Sequence, residues 1–393
     1  MEMLFKFCVL LCSISFLVLS WIWWEKSGLW REINLKIKSL DSQWFFNRPL
    51  EMVIQNEDDR ETVRSQNQER NESASRLMEM NLIKQQNSDP LPRRSYFNTT
   101  TLNGICEGKD SSRCSPDFMA LDNRIRVSRL QRQQSEFLQT APAYNITACM
   151  IHKSMSTVLQ AIMCYLYDEH AFLSAGRVFS RECTKNRFCF HKNEYSDIFK
   201  ARKSLATQTN RTTEAKELLM AIVREPVDRF LSAFVDKCIR KPTSKNYCNS
   251  CRANMTCFVI SEYKRIMKQV IGGKLIRSFE DRHFFPQAWR CNFNTHLKSY
   301  KLIYYSARPS ESDDFVGQLN ELLESQGVPF ASREFISDQL KQGRTVHSTI
   351  ESEARQFLER RLRSSSFLME FIVRMSYTDF KHFEYRLPEI EFE

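Results

Sequence analysis

Two short stretches of this chain place phosphate-handling side chains directly after apolar runs. The first, "ACMIHKSMST" (residues 148–157), ends a buried-looking run with Lys153, Ser154, Ser156 and Thr157. A lysine supplies a compact positive charge, hydroxyls supply donors, and a helix starting there adds free backbone N–H groups aimed at an anion. The second, "VREPVDRFLSAF" (residues 223–234), puts Arg224 at the end of an apolar run and Ser232 eight residues later. A guanidinium forks onto phosphate oxygens, and a hydroxyl from the following helix can complete the grip. Neither stretch is a nucleoside-triphosphate loop of the GxxxxGK[ST] kind, and the first contains no glycine at all. A solvated lysine with a serine helix cap would account for the first alone, and an Arg224 salt bridge to Glu225 or Asp228 for the second.

The elements that must carry these residues are strands feeding helices. "ITACMI" is a short, partly β-branched apolar run, and Val158, Leu159, Ile162, Met163 and Leu166 then recur at helical spacing. "LLMAIV" (218–223) repeats the pattern, followed by Val227, Phe230, Leu231, Phe234, Val235 and Cys238, with Pro226 at a first-turn position. "DDFVGQLNELLESQGVP" predicts an amphipathic helix closed by Gly327 and Pro329, and "HSTIESEARQFLERRL" another, opened by a capping box from Ser348 to Glu351. Strands alternating with helices predict an α/β domain around a central parallel sheet flanked by helices.

Taken together, the two stretches resemble the nucleotide-binding signatures of sulfotransferases that use 3′-phosphoadenosine 5′-phosphosulfate (PAPS). The first is similar to their 5′-phosphosulfate loop and the second to their 3′-phosphate motif. The nearest likeness is to membrane-bound Golgi carbohydrate sulfotransferases of the chondroitin and dermatan 4-O type. "DKC" at 236–238, "EDRHFFPQAWRC" at 280–291 and the spacing to the 313–329 helix add to it, so the resemblance spans roughly residues 145–385. Where that family's loop commonly reads PKVxST, this chain has His152 and Met155. The resemblance implies a P-loop-like sulfotransferase fold and PAPS as sulfonate donor, leaving as adenosine 3′,5′-bisphosphate, with no metal. It implies Lys153, Ser154, Ser156, Thr157, Arg224 and Ser232 as donor-binding residues, with Lys153 also catalytic. In-line sulfuryl transfer needs positioning and charge neutralisation, plus a base for the acceptor hydroxyl, a role suited to neutral histidine. His283, inside the 280–291 motif, and His191, between the two phosphate motifs, are the candidates; His347 is weaker.

The rest of the chain bounds the setting. Of 393 residues, Phe7 to Trp24 form an uncharged apolar run ending in Trp21, Trp23 and Trp24, which predicts a signal-anchor helix after a short cytoplasmic tail. A cleaved signal peptide is the rival reading, without a clear small-x-small cleavage site in its favour. Residues 25–140, polar and without a core-forming period, predict a lumenal stem, and 141–393 the catalytic domain, giving a single-pass type II Golgi protein. Sequons at Asn71, Asn98, Asn145, Asn210 and Asn254 agree with a lumenal body. Of 13 cysteines, eleven follow the apolar run, where disulfides persist. Cys238, Cys248, Cys251 and Cys257 are expected in disulfides rather than on zinc, because no second CxxC follows. An odd lumenal number leaves a thiol over, and Cys149 and Cys164, on the strand and the helix, are the expected buried free thiols.

Lys and Arg exceed Asp and Glu by 38 to 29 in residues 141–393, against 19 to 18 in 1–140, so the basic excess sits in the folding part. In a lumenal protein this favours an acidic glycan or proteoglycan acceptor over nucleic acid, with solubility as the bland alternative. Membrane contact is expected through the anchor, and a homodimer is compatible with the chain. Two rivals stand beside the transferase. One is a non-catalytic lumenal glycan-binding protein on the same fold; the other is a P-loop kinase, which lacks a visible acidic metal ligand after a strand.

Overall fold

Strand formation here follows from apolar runs that are buried on both sides. In β4 (Leu218–Arg224) every residue is buried. Met220 and Ile222 face one hydrophobic cluster, while Leu219, Ala221 and Val223 face another. That double burial is what a central strand of an α/β sheet requires. The computed structural model describes residues 76–100, 104–117, 138–182, 186–208, 216–240, 246–272, 281–306, 312–341, 352–389 and 391–392. All elements below belong to the compact unit Met78–Glu393.

The sheet has five strands: β1 (Leu138–Ala141), β2 (Ile146–Cys149), β3 (Glu194–Tyr195), β4 and β5 (Tyr300–Tyr305), in the order β3-β1-β2-β4-β5. β2, β4 and β5 run parallel, with Cys149 level with Ala221 and Leu219 level with Tyr300. β1 is antiparallel to both β2 and β3. The expected parallel sheet is therefore mixed, because only four residues separate β1 from β2, too few for a crossover.

Helices α1 (Ser156–Tyr167), α5 (Ser312–Ser325) and α6 (Phe330–Lys341) pack on one face of the sheet and α2 (Ile198–Gln208) on the other. Beyond the sheet, α3 (Pro226–Phe234), α4 (Met255–Gly272), α7 (Glu353–Arg363) and α8 (Ser366–His382) enclose a second, aromatic-rich core. The helix expected from a capping box at Ser348 is α7, whose observed N-cap is Ser352, accepting from the Arg355 N–H; residues 342–351 lie outside the described residues.

The anchor segment 7–24, the sequons at Asn71 and Asn210, Cys183 and His347 also lie outside the described residues. Among those described, no helix is long and apolar enough to cross a membrane. Most of the expected stem is likewise outside, but its described part is folded in: Ile83 and Ile105 are buried in the α3–α4–α8 core. Asn87 donates to the Ala253 carbonyl at 2.8 Å and accepts from the Met255 N–H at 3.0 Å, tying helical residues 78–86 to the start of α4. A boundary at residue 141 would also cut β1 off.

Among the described residues five disulfides fasten the unit. Cys238–Cys248 and Cys251–Cys257 take up the clustered cysteines. Cys106–Cys114 closes a short loop. The two cysteines expected as free thiols are bridged instead, Cys149 to Cys291 and Cys164 to Cys189. Their partners are 142 and 25 residues away, and nothing local in the sequence announces them.

Candidate active site

The two phosphate-type stretches follow neighbouring parallel strands, so both turns lie at the carboxyl ends of β2 and β4. That is where open α/β sheets bind ligands. The first turn is built without glycine yet uses the left-handed conformation twice, at Lys153 (φ 70°) and Met155 (φ 58°). A non-glycine residue there costs about 1 kcal/mol or more, and such strain persists only where surroundings over-determine it.

Here three side chains do so. Arg224 Nη1 donates to the Lys153 carbonyl at 3.0 Å, and Arg229 Nε to the His152 carbonyl at 3.0 Å. The Ser154 hydroxyl donates to Gln287 Oε1 at 2.9 Å. The turn then runs into α1, where Met155 as N-cap offers no side-chain cap. The first-turn N–H groups of Ser156 and Thr157, both half-buried, are thus not claimed by a cap.

The second junction is closed differently. Pro226 stands at the start of α3, and the Glu225 carboxylate accepts from the Val227 and Asp228 N–H groups at 3.1 and 2.6 Å. Burial pushes the Glu225 carboxyl up against these hydrogen bonds. Any anion here must be gripped by side chains; Arg224 at the strand end is buried, as is Ser232 farther along α3. Arg224 Nε donates to Asp228 at 2.6 Å, its guanidinium lies 5.1 Å from the Tyr305 ring centre, and Arg355 of α7 joins the opposite oxygen of Asp228. Burial opposes ionisation of Asp228, but Arg224 and Arg355 together hold its carboxyl below the usual range.

After Phe234 the helix loosens into a π turn, Val235–Arg240, a feature common at functional sites. It carries Asp236, which meets Lys153 Nζ at 2.5 Å while also pairing with Lys237 at 2.9 Å. Lys153 is pushed down to about 8, chiefly by burial, which Asp236 partly offsets and weaker repulsion from Lys237 and Arg224 reinforces.

Gln287, in the 280–291 segment, stitches the junctions together. Its Oε1 accepts from the Arg224 N–H at 3.1 Å and its Nε2 donates to the Arg224 carbonyl at 2.7 Å, so its amide pairs with β4 as a neighbouring peptide unit would. The same Oε1 receives Ser154. Asp379 of α8 holds the segment from behind, accepting from the N–H groups of Gln287 and Ala288 at 2.9 and 2.8 Å. The Cys149–Cys291 bridge fixes its far end to β2.

This arrangement brings together Lys153, Ser154, Ser156, Thr157, Arg224 and His283, while Ser232 is buried within α3. His283 is buried and meets the ring of His152 edge-on at 4.9 Å, next to Lys153. Ser154 is turned inward onto Gln287 and is 1% exposed, so its hydroxyl shapes the turn. His191 is not brought in. It is exposed, stacked on Phe190 at 3.7 Å, and precedes β3, whose Tyr195 is level with Leu138 and hence with Cys149. Residues before Tyr195 therefore recede toward the opposite end of the sheet, away from the Lys153 turn.

Sequence reasoning did not single out Asp236, Gln287, Arg229, Arg355 and His152. "DKC" and the 280–291 motif contained the first two, but only the fold shows what they touch. Among the described residues no cluster of His, Cys, Asp and Glu could hold a metal.

A buried site with this many cations suits a ligand carrying several negative charges. Lys153 and Lys237 gather around Asp236, Arg224 and Arg355 around Asp228, and Arg229 holds the turn through the His152 carbonyl. Arg229 Nη2 and Arg355 Nη1 are buried with no hydrogen-bond partner. The sulfotransferase-family profile matches residues 135–386, which takes in both junctions and the Gln287 segment. The chain belongs to the sulfotransferase family. Two Caenorhabditis elegans proteins are similar to it across most of their length. The uncharacterized protein C18B2.2 is 38% identical over 312 residues, 79% of this chain and 81% of its own. The carbohydrate sulfotransferase chst-1 is 31% identical over 249 residues, 62% of this chain and 74% of its own. No solved structure gives a significant match.

Proposed function

We propose that this sulfotransferase moves the sulfonate group of PAPS to a hydroxyl of a glycan, with a chondroitin-like glycosaminoglycan as acceptor. The observation that carries the donor assignment is the meeting of the two junctions, with the Arg224 guanidinium 3.0 Å from the Lys153 carbonyl. One junction offers uncapped helix N–H groups beside a buried lysine, and the other offers a buried arginine and serine.

PAPS, when bound, supplies a sulfonate on a phosphate leaving group. Ser156 and Thr157 would hold the 5′-phosphosulfate through their N–H and hydroxyl groups. Arg224 and Ser232, with Arg355 behind Asp228, would hold the 3′-phosphate and so separate PAPS from ATP. Lys153 would stabilise charge on the oxygen released as the sulfur–oxygen bond of the donor breaks and the bond to the sugar oxygen forms. At about 8, its titration leaves it mostly charged at neutral pH. His283 would receive the acceptor proton, with His152 orienting it; His191 is too far round the sheet for that role. The setting that goes with this function is the Golgi lumen, with residues 1–24 as tail and signal anchor of a single-pass type II protein, possible as a homodimer.

The deciding experiment is calorimetric binding of adenosine 3′,5′-bisphosphate against ADP to the full chain. The expected result is selective binding by at least about tenfold, or 1.4 kcal/mol, lost in Lys153→Ala and Arg224→Ala. A folded chain that binds neither nucleotide would sink the transferase assignment in favour of a non-catalytic glycan-binding protein.

A further inference from the structure

Away from the donor site, a groove of 1060 Å³ lies between the end of helical residues 78–86 and α7. Its walls share one pattern. Lys84, Asn87 and Ser88 stand at i, i+3 and i+4 on one side, and Phe357, Arg360 and Arg361 repeat that spacing on the other. Lys84 lies in the helix and Asn87 and Ser88 just past its end, so one wall is a helix terminus and the other the side of α7. Leu91 and Phe357 give the groove an apolar part, and Lys84, Arg360, Arg361 and Arg363 line it with cations.

The charge is one-sided. Among the described residues Glu359 is the sole carboxylate lining the groove, and Arg363 already pairs with it at 2.9 Å. Lys84 and Arg360 are exposed and have no ion-pair partner among the described residues. Arg361 is held in place, donating to the Asp89 carbonyl at 2.9 Å and to Thr256 Oγ1 at 3.3 Å, while its Nε is buried with no partner. α7 links this groove to the donor site, since Arg355 near its start pairs with Asp228. From Arg355 to Arg363 the helix rises about 12 Å, a few sugar units.

We propose that the groove is a second acceptor subsite, binding the extended polyanionic part of a carboxylated or sulfated glycan some sugars away from the hydroxyl that reacts. The assignment rests on the acidic-glycan reading above. It gives the chain a preference for polymeric over short acceptors, because only a polymer reaches both places.

The test compares the full chain with a Lys84→Glu/Arg360→Glu variant, both positions being exposed and outside the donor site. Probes are a chondroitin sulfate polymer, a chondroitin tetrasaccharide and adenosine 3′,5′-bisphosphate. Expected are unchanged bisphosphate binding, a polymer Kd raised about tenfold at 0.1 M salt, and a shallower salt dependence. Polymer binding that survives the double reversal overturns the subsite. Hydrogen exchange on the unaltered chain gives an independent answer should the variant fold poorly. The polymer should slow exchange over residues 78–91 and 357–364, and unchanged exchange there overturns the proposal. Polymer binding without bisphosphate binding would instead fail the transferase reading while leaving the groove intact.

Discussion

The turns after β2 and β4 occupy equivalent places at adjacent strand ends, yet they are constructed in opposite ways. The β4 turn is self-sufficient: Pro226 starts its helix and Glu225 caps it with two hydrogen bonds. The β2 turn has no side-chain cap, places Lys153 and Met155 at positive φ, and takes its shape from Arg224, Arg229 and Gln287 on other elements. The difference teaches where each anionic group belongs. A helix that caps itself has no N–H groups left for a ligand, so the β4 turn must bind through side chains. The uncapped one keeps its dipole and N–H groups available.

The sharpest way to break this contrast is to remove the partner of Lys153. Asp236→Ala leaves a buried ammonium facing Lys237 and Arg224, and a loss of about 3–5 kcal/mol in denaturant unfolding is expected. A loss under 1 kcal/mol would show that the Lys153 pair is not what holds the β2 turn to the π turn. Gln287→Ala comes next. It strands the Arg224 peptide groups and the Ser154 hydroxyl at once, for about 2–3 kcal/mol, and should weaken bisphosphate binding although Gln287 need not touch it.

The pH dependence is smaller. Because the folded-state value of Lys153 lies at about 8, below 10.5, its charge is lost as pH rises through 8. Nucleotide affinity should then fall up to about tenfold per pH unit, and Lys153→Ala should remove that slope. Stability moves the other way. Between about 8 and 10.5 the unfolded chain binds the extra proton, so this residue's contribution to folding becomes less unfavourable as pH rises. The smallest effects carry opposite signs. Glu225→Ala should cost about 1 kcal/mol as a lost cap. Met155→Gly should be neutral to about 0.5 kcal/mol stabilising, relief of positive φ working against glycine's chain entropy. Equal destabilisation by both would mean that the two turns are not built differently after all.

What could be read in the sequence was local. Strand, turn and helix lie within about twenty residues of each other around Lys153 and Arg224, and apolar spacing exposes them. Asp236 and Gln287 meet Lys153 and Ser154 across 83 and 133 residues, and no periodicity reports such pairs. The partners of Cys149 and Cys164 were hidden for the same reason. β1 was missed because a four-residue strand after a polar segment carries too little pattern. The polar character of residues 78–117 concealed that a few apolar side chains, Ile83 and Ile105 among them, suffice to fasten them to the core.

The Cys149–Cys291 bridge bears on timing. It anchors to the sheet the very segment that brings His283 and Gln287 to the strand ends. A newly made chain in a reducing cytosol lacks this clasp, and glutathione there would keep it open. Oxidation of this pair ties the segment to β2 across 142 residues of chain. How firmly Gln287 and His283 are held at the strand ends is thus set in part by whether two thiols, one on the sheet and one beyond the segment, are joined.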